Sequence, residues 1–174
     1  MREIEVKILE IDKNKWVKKL EALGAKKTFD DTIEALHFDF PDQRLKKEHK
    51  VFRLRKKGNV VELTLKQKIN KERMNVAEEY ETLVDDFERT RTIIKQLGME
   101  ETDSYTKHRT QYSKGDVHVE IDTYDGIPTF AEIEAQTEAE VEAFVKELGY
   151  SMDDVKPWSK RDLFRHYKKI ENEG

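Results

Sequence analysis

The sequence predicts an α+β fold in which antiparallel strands, each with one apolar and one charged face, surround a ligand. Three observations predict it: charged residues on alternate positions, glycine turns between such stretches, and helical patterns that end in Leu-Gly. Because side chains of a β-strand alternate between its two faces, each charged stretch would present its charges on one side of a sheet. The seven stretches in this 174-residue chain are Glu3-x-Glu5-x-Lys7, Arg53-x-Arg55, Lys66-x-Lys68, Glu79-x-Glu81, Lys107-x-Arg109, Glu120-x-Asp122 and Glu132-x-Glu134.

The charged faces have two interpretations. An antiparallel sheet with one side in water shows the same alternation, and this reading is adequate for any single stretch. After the first stretch, however, each pair keeps to one sign. Like charges on one face repel unless an oppositely charged strand or a bound ion lies beside them. The pattern therefore favours strands that face one another around a ligand. The apolar positions between the charges are Ile4, Val6, Leu54, Leu65, Tyr80, Ile121 and Ile133.

Four helices are predicted from capping residues and apolar spacing. The first three each end in Leu-Gly, and the fourth is a short helix near the C-terminus. In chain order they run from the cap Asp12 through Trp16, Leu20 and Leu23 to Gly24; from about Asp86 to Leu97, with Phe87 and Ile94 on one face; from the capping box Thr137 and Glu140 through Val141, Phe144, Val145 and Leu148 to Gly149; and from Ser159 and Asp162 through Leu163, Phe164 and Tyr167.

Glycine turns predict how the strands pair. Lys57-Gly58-Asn59 and Lys114-Gly115-Asp116 each lie between two alternating runs, which is typical of β-hairpins and so of antiparallel neighbours. Two polar segments, about 41–50 and 70–75, are candidates for loops at the mouth of a binding site. No domain boundary is visible, and the sequence predicts one domain over residues 1–174.

Composition limits the classes of partner. The chain has no cysteine, which excludes disulfides and thiolate sites and fits a reducing compartment. No apolar run approaches the length needed to span a membrane, so we expect a cytoplasmic protein with no membrane partner. The formal net charge of −4 provides no general attraction to nucleic acid, and none is expected as a partner. The sequence does not fix the oligomeric state and allows a homodimer.

Taken in order, the charged stretches resemble the CYTH superfamily of triphosphate tunnel metalloenzymes, which includes class IV adenylate cyclases and thiamine triphosphatases. Glu3-Ile4-Glu5-Val6-Lys7 matches the family signature ExExK. The resemblance implies a closed eight-stranded antiparallel β-barrel with a charged lumen and helices packed outside. It continues through Phe52-Arg53-Leu54-Arg55, Leu63-Thr64-Leu65-Lys66, Glu79-Tyr80-Glu81, Lys107-His108-Arg109, Glu120-Ile121-Asp122 and Phe130-Ala131-Glu132-Ile133-Glu134.

The resemblance also implies roles for the charged residues. Hard divalent cations take carboxylate oxygens, and Arg and Lys suit phosphate oxygens. The cation, Mg²⁺ or Mn²⁺, is assigned to Glu3, Glu5, Asp122, Glu132 and Glu134. The phosphates are assigned to Lys7, Arg53, Arg55, Lys66, Lys107 and Arg109, and the candidate catalytic residues are Lys7, Lys66, Lys107 and His37. Residues expected to form ion pairs in the wall are Lys68, Glu79, Glu81 and Glu120.

His37 marks a departure from the family pattern. The family often has Tyr in the segment before the Asp of the second strand, and in some triphosphatases that Tyr acts with a Lys to activate water. Here the segment reads His37-Phe38-Asp39. His37 is therefore either a base or an ordinary packed or solvent-facing side chain.

Three functions remain open. The charged stretches contain eight acidic and seven basic residues, so their net charge is slightly negative. This charge would repel a triphosphate unless bound metal ions offset it. The blocks 130–134 and 159–163 favour a class IV adenylate cyclase, which converts ATP to cyclic AMP and pyrophosphate. The second function is hydrolysis of inorganic tripolyphosphate or thiamine triphosphate, and the third is polyphosphate or nucleotide binding without turnover.

Overall fold

The chain folds into a closed antiparallel β-barrel with helices on its outside. The computed structural model describes residues 2–70 and 73–173, without the side chains of Asn70 and residues 169–173. The strand order around the barrel is β1-β5-β4-β3-β2-β6-β7-β8, which confirms the predicted fold class. The strands are β1 Arg2–Ile8, β2 Lys26–Asp39, β3 Lys50–Lys57, β4 Val60–Asn70, β5 Asn75–Val84, β6 Glu100–Lys114, β7 Val117–Tyr124 and β8 Ile127–Ala135. The helices are α1 Lys13–Ala22, α2 Arg44–Lys47, α3 Phe87–Gln96, α4 Glu138–Glu147 and α5 Lys160–Glu173.

The chain packs as two compact units. Unit 1 comprises residues 31–69 and 77–108, with Arg2 as its only other described residue. In this unit β3 pairs with β2 and β4, and the register places Arg53 beside both His37 and Thr64. Helix α3 covers the apolar face through Ile94, which joins a buried cluster with Leu36, Phe38, Leu54 and Val61. The charged residues alternate with these positions and so lie on the opposite face, inside the barrel.

The described residues of unit 2 are 3–30, 70, 73–76 and 109–173. Strand β8 pairs with β1 and β7, so that Glu132 lies beside both Lys7 and Glu120. Helices α1 and α4 pack on the apolar face of these strands. The buried cluster includes Ile4 and Val6 of β1, Ile121 and Ile133 of β7 and β8, Trp16 and Leu20 of α1, and Val141, Phe144 and Val145 of α4.

The predicted helix starts and hairpins are confirmed. The side chains of Asp12 and Asp86 accept hydrogen bonds from the first turns of α1 and α3, and Thr137 forms the expected capping box with Glu140. Ser159 likewise bonds Asp162 at the start of α5. Gly24, Gly98 and Gly149 follow the helices with φ of 77°, 88° and 76°, a conformation that residues with a Cβ rarely adopt.

Four details differ from the sequence expectation. Tyr80 and Leu97, predicted on packing faces, are 62% and 70% exposed, because no described element covers them. Helix α5 continues well beyond Tyr167. The segment 41–50 contains the short helix α2. Of the predicted loop 70–75, residues 71 and 72 lie outside the described part of the chain, and Asn70 and Asn75 belong to strands.

Within the described residues, no helix combines the length and the apolar character that crossing a membrane requires.

Candidate functional site

Unit 2 holds a buried cluster of carboxylates around Arg109. The Arg109 guanidinium donates two hydrogen bonds to Asp122, from Nε to Oδ1 at 2.7 Å and from Nη2 to Oδ2 at 2.6 Å. It also contacts Glu132, at 3.2 Å, and Glu120. Asp122 is completely buried, and Arg109 is 4% exposed. Burial by itself would lower the pKa of Arg109, but attraction to Asp122 and Glu120 raises it well above its ordinary value. Arg109 therefore stays charged and offsets part of the negative charge of the cluster.

Lys7 is a second buried cation beside these carboxylates. Its Nζ lies 2.8 Å from Glu132 Oε1 and 3.2 Å from Glu5 Oε1. Asn75 donates a hydrogen bond to the same Glu5 oxygen at 2.6 Å. Burial opposes the charge of Lys7, yet attraction to Glu132 and Glu5 raises its pKa above the ordinary value. Glu132 thus lies between the two cations: its Oε1 contacts Lys7 and its Oε2 contacts Arg109.

The carboxylates of this cluster have the chemistry that a hard divalent cation needs. One oxygen from each of Glu120, Asp122 and Glu132 lies within 4.8 Å of the other two. Oxygen-only ligand sets suit Mg²⁺ and Mn²⁺. The same oxygens hold Arg109 and Lys7, so a metal ion would share these ligands with the two cations or replace them. The residues fit a divalent cation.

The other predicted metal ligands lie on the same face of β1 and β8. The register pairs Glu5 with Glu134, two positions from the pair of Lys7 with Glu132. Glu3 precedes Glu5 by two residues and therefore shares its face. Glu3, Glu5 and Glu134 are each partly exposed. The structure thus brings Asp122 and Glu132 into contact with Arg109 and places the other three predicted ligands along the adjoining strands.

Unit 1 carries an arginine-rich face. Arg53 Nη2 donates to Glu79 at 3.1 Å, and Arg55 Nε donates to Glu62. Arg55 also reaches Glu81 at 3.5 Å. Both arginine side chains are less than one-fifth exposed, at 17% and 11%. The predicted wall role of Glu79 and Glu81 agrees with these contacts, since each pairs with an arginine of the predicted phosphate site.

The remaining predicted site residues of unit 1 lie on β2, β4 and β6. Lys66 lies beside Val51 of β3, two positions from Thr64 and on the same face. Lys107 is 6% exposed, and its Nζ is 5.8 Å from the ring centre of Tyr105. His37 lies beside Arg53, with a side chain 20% exposed. Within unit 1 the arrangement therefore combines several cations and one imidazole on a face suited to phosphate oxygens.

Sequence reasoning missed some contacts of the charged residues in each unit. Glu62 is 7% exposed and binds Arg55. Its signal was present, because Glu62-x-Thr64-x-Lys66 extends the alternation of β4 by two positions. Glu120 was expected to form an ion pair in the wall, and it does pair with Arg109; it also lies with Asp122 and Glu132 in the carboxylate cluster, which was not predicted. Asn75 had no such signal, since only the fold brings it to Glu5.

Comparison with known proteins identifies the relatives of this chain. The CYTH domain family matches residues 1–156. A curated protein of Methanocaldococcus jannaschii, named "Putative adenylate cyclase MJ0240", is 33% identical over 138 residues, which are 77% of each chain. The PH1012 protein of Pyrococcus horikoshii OT3 has a TM-score of 0.77 and 26% identity, over 92% of this chain and 98% of its own. A Hippeastrum protein, HpAC1, has the same fold, with a TM-score of 0.65 and 19% identity over 94% and 95% of the two chains.

Proposed function

The chain belongs to the CYTH family, and on that basis we propose that it is a divalent-metal-dependent enzyme acting on a triphosphate bound to the charged face of its barrel. The observation that carries the proposal is the buried group of Arg109 with Glu120, Asp122 and Glu132. Burying so many charges costs free energy that their mutual attraction does not reliably return. A site selected for ligands explains why the charges are retained.

In this proposal the acidic residues bind the metal ion and the basic residues bind the phosphates. Asp122, Glu132 and Glu134, with Glu3 and Glu5, would hold Mg²⁺ or Mn²⁺. The bound cation would supply charge to neutralise the phosphate oxygens. Arg53, Arg55 and Lys66, with Lys7, Lys107 and Arg109, would bind and orient the triphosphate. In phosphoryl transfer such positioning and charge stabilisation supply most of the catalysis.

We propose ATP as the substrate and cyclisation as the reaction. The 3′-hydroxyl of ATP would attack the α-phosphorus, and pyrophosphate would leave. The relative at 33% identity is named as an adenylate cyclase, which supports this choice. The blocks 130–134 and 159–163 and the absence of Tyr at His37 favour it as well. A cytoplasmic location stays a prediction.

Hydrolysis of tripolyphosphate or thiamine triphosphate is the second candidate. The Hippeastrum protein is described as a putative adenylyl cyclase with a dominant triphosphatase activity, but at 19% identity its likeness to this chain shows the fold alone. The same cations would serve water attacking the terminal phosphorus. Binding without turnover is the third candidate, and it would not require the full set of carboxylates.

Product analysis separates these functions. The purified protein with Mg²⁺ or Mn²⁺ is offered ATP, thiamine triphosphate and tripolyphosphate, and the products are separated. We expect cyclic AMP and pyrophosphate from ATP, and no turnover in excess chelator. Faster hydrolysis of tripolyphosphate or thiamine triphosphate, lost in His37→Ala with metal binding intact, would refute cyclisation and support His37 as the water-activating base.

Two sets of variants, each with a matched control, test the site itself. Arg55→Ala should lower turnover of every substrate, whereas Lys56→Ala should not, because Lys56 is the exposed neighbour on the opposite face. Glu5→Gln and Glu134→Gln should weaken metal binding more than folding, with the exposed Glu100→Gln as the control. Equal effects of Arg55→Ala and Lys56→Ala would contradict the proposed phosphate site.

A further inference from the structure

Three side chains of β6 converge on His37, and none of them belongs to the charged stretches of the sequence. The Asp103 Oδ2 atom lies 3.5 Å from Nδ1 of His37. The Tyr105 ring meets the imidazole edge-on, with ring centres 5.6 Å apart at 76°. Thr102 Oγ1 donates a hydrogen bond to the His37 backbone oxygen at 3.4 Å. One strand, β6, thus contacts the backbone oxygen, the ring edge and the Nδ1 atom of His37.

The carboxylate selects one form of the imidazole. An ionised carboxylate only accepts hydrogen bonds, so the proton of neutral His37 is favoured on Nδ1, towards Asp103. The lone pair is then on Nε2. When Nε2 takes up a proton, the resulting imidazolium is stabilised by the negative charge of Asp103. This is the arrangement of a general base with a carboxylate that orients it.

The charged neighbours of His37 include cations of unit 1, which affect its protonation. Arg53 lies directly beside it on β3, and its positive charge opposes protonation of the imidazole. On β6, Lys107 lies near Tyr105 and also opposes it. On β2 the carboxylate of Asp39 accepts backbone N–H groups of Leu45 and Lys46. The Asp103 carboxylate, 3.5 Å from Nδ1 of His37, favours the imidazolium.

We propose that Asp103 is a positioning residue that holds His37 as the general base for the attacking oxygen. The inference rests on the proposed triphosphate reaction. As the oxygen of water or of the 3′-hydroxyl bonds to phosphorus, its proton passes to Nε2 of His37. The bond from phosphorus to the bridging oxygen breaks, and the leaving group takes its electron pair; the leaving group is pyrophosphate in cyclisation and the remaining diphosphate in hydrolysis. The imidazolium then gives its proton to that leaving group, which restores the base.

The first test measures the pairing without any reaction. Histidine ¹⁵N–¹H spectra of the full-length, metal-free protein are followed against pH, and His37→Gln assigns the signal. In Asp103→Asn we expect a smaller Nδ1–H fraction and a titration midpoint lower by about half a pH unit or more. Asp103→Glu should restore part of the shift. The control Asp85→Asn removes an exposed carboxylate of the same unit and should change neither quantity.

The second test asks whether the pair acts in turnover. With whichever triphosphate is converted, Asp103→Asn should lower kcat roughly 10-fold with little change in KM, and should move the acid limb of the pH profile down by the shift seen in the spectra. Asp103→Glu should recover much of the rate. If turnover persists and the acid limb stays in place, or if Asp85→Asn has the same effect, the role of Asp103 is refuted while the proposed function stands. If no triphosphate is converted, the proposed function fails and the catalytic role fails with it, and the spectra still report the pairing separately.

Discussion

Replacing Arg109 by Met tests whether this cation holds the carboxylate cluster together. Met keeps the apolar stem of the side chain and removes the guanidinium, leaving Glu120, Asp122 and Glu132 within 4.8 Å of one another. Removing one partner of a buried ion pair costs about 3–5 kcal/mol, because the remaining charge stays buried. For a chain of this size each kcal/mol lowers Tm by about 2–4 °C, so a fall of roughly 10 °C is expected.

The assay is urea and thermal unfolding in the presence of chelator, with two comparisons. Arg91→Met removes an arginine that also binds its partner, Glu101, with two hydrogen bonds, but that arginine side chain is 34% exposed. Its expected cost is much smaller than that of Arg109→Met, because solvent screens the pair. The double variant Arg109→Met with Asp122→Asn should be more stable, by about 1 kcal/mol or more, than the sum of the two single effects predicts. The reason is that Asn removes one of the buried carboxylate charges that Arg109→Met leaves unpaired.

Equal destabilisation by Arg109→Met and Arg91→Met would refute the claim that burial gives Arg109 its importance. Strict additivity of Arg109→Met and Asp122→Asn would refute the direct coupling between these residues.

Further predictions concern metal, alkaline pH and helix capping. Adding Mg²⁺ or Mn²⁺ should raise Tm in a concentration-dependent manner, and less so in Glu134→Gln. Burial and the nearby Glu10 raise the pKa of Tyr167 to about 12. The protonated phenol therefore stabilises the fold fully below its ordinary pKa, and this contribution is lost as pH rises towards 12. Tyr167→Phe should abolish that alkaline loss in unfolding experiments, at a cost of about 1 kcal/mol at neutral pH for the hydrogen bond to Glu10. Thr137→Ala should lower the free energy of unfolding by about 1 kcal/mol, because it removes the capping box of α4.

The sequence was most informative where a local pattern repeats. Period-two charge located seven of the eight strands in the described chain, because alternation is a direct consequence of strand geometry. Strand β2 was the exception. Its inward positions include Ile33 and Ala35, which give no charged signal. Helix starts were equally readable, since a cap such as Asp12 acts on backbone groups only three residues away.

The site was less readable, because its contacts join residues far apart in the chain. The pairing of Asp103 with His37 spans two strands that are adjacent only in the folded sheet. The contact of Asn75 with Glu5 likewise depends on the fold. Glu120 pairs with Arg109, as expected of a wall residue, but its place beside Asp122 and Glu132 was not readable, because alternation shows which face a residue occupies but not which neighbours it meets there. The exposure of Tyr80 also could not be read from the pattern, since an apolar residue on an outer face packs only if another element covers it.

The contacts of Arg109 suggest how metal and triphosphate would depend on each other. By resemblance Arg109 binds phosphate, whereas here its guanidinium is taken up by Asp122, Glu120 and Glu132. A divalent cation that binds these carboxylates would offset the charge that holds Arg109, and a triphosphate would offer it a new anionic partner. Each ligand should then strengthen binding of the other, since coupling between two sites is reciprocal. Lys7 is placed to respond in the same way, because it shares Glu132 with Arg109. The two resident cations would thus offset part of the carboxylate charge until metal and phosphate arrive together.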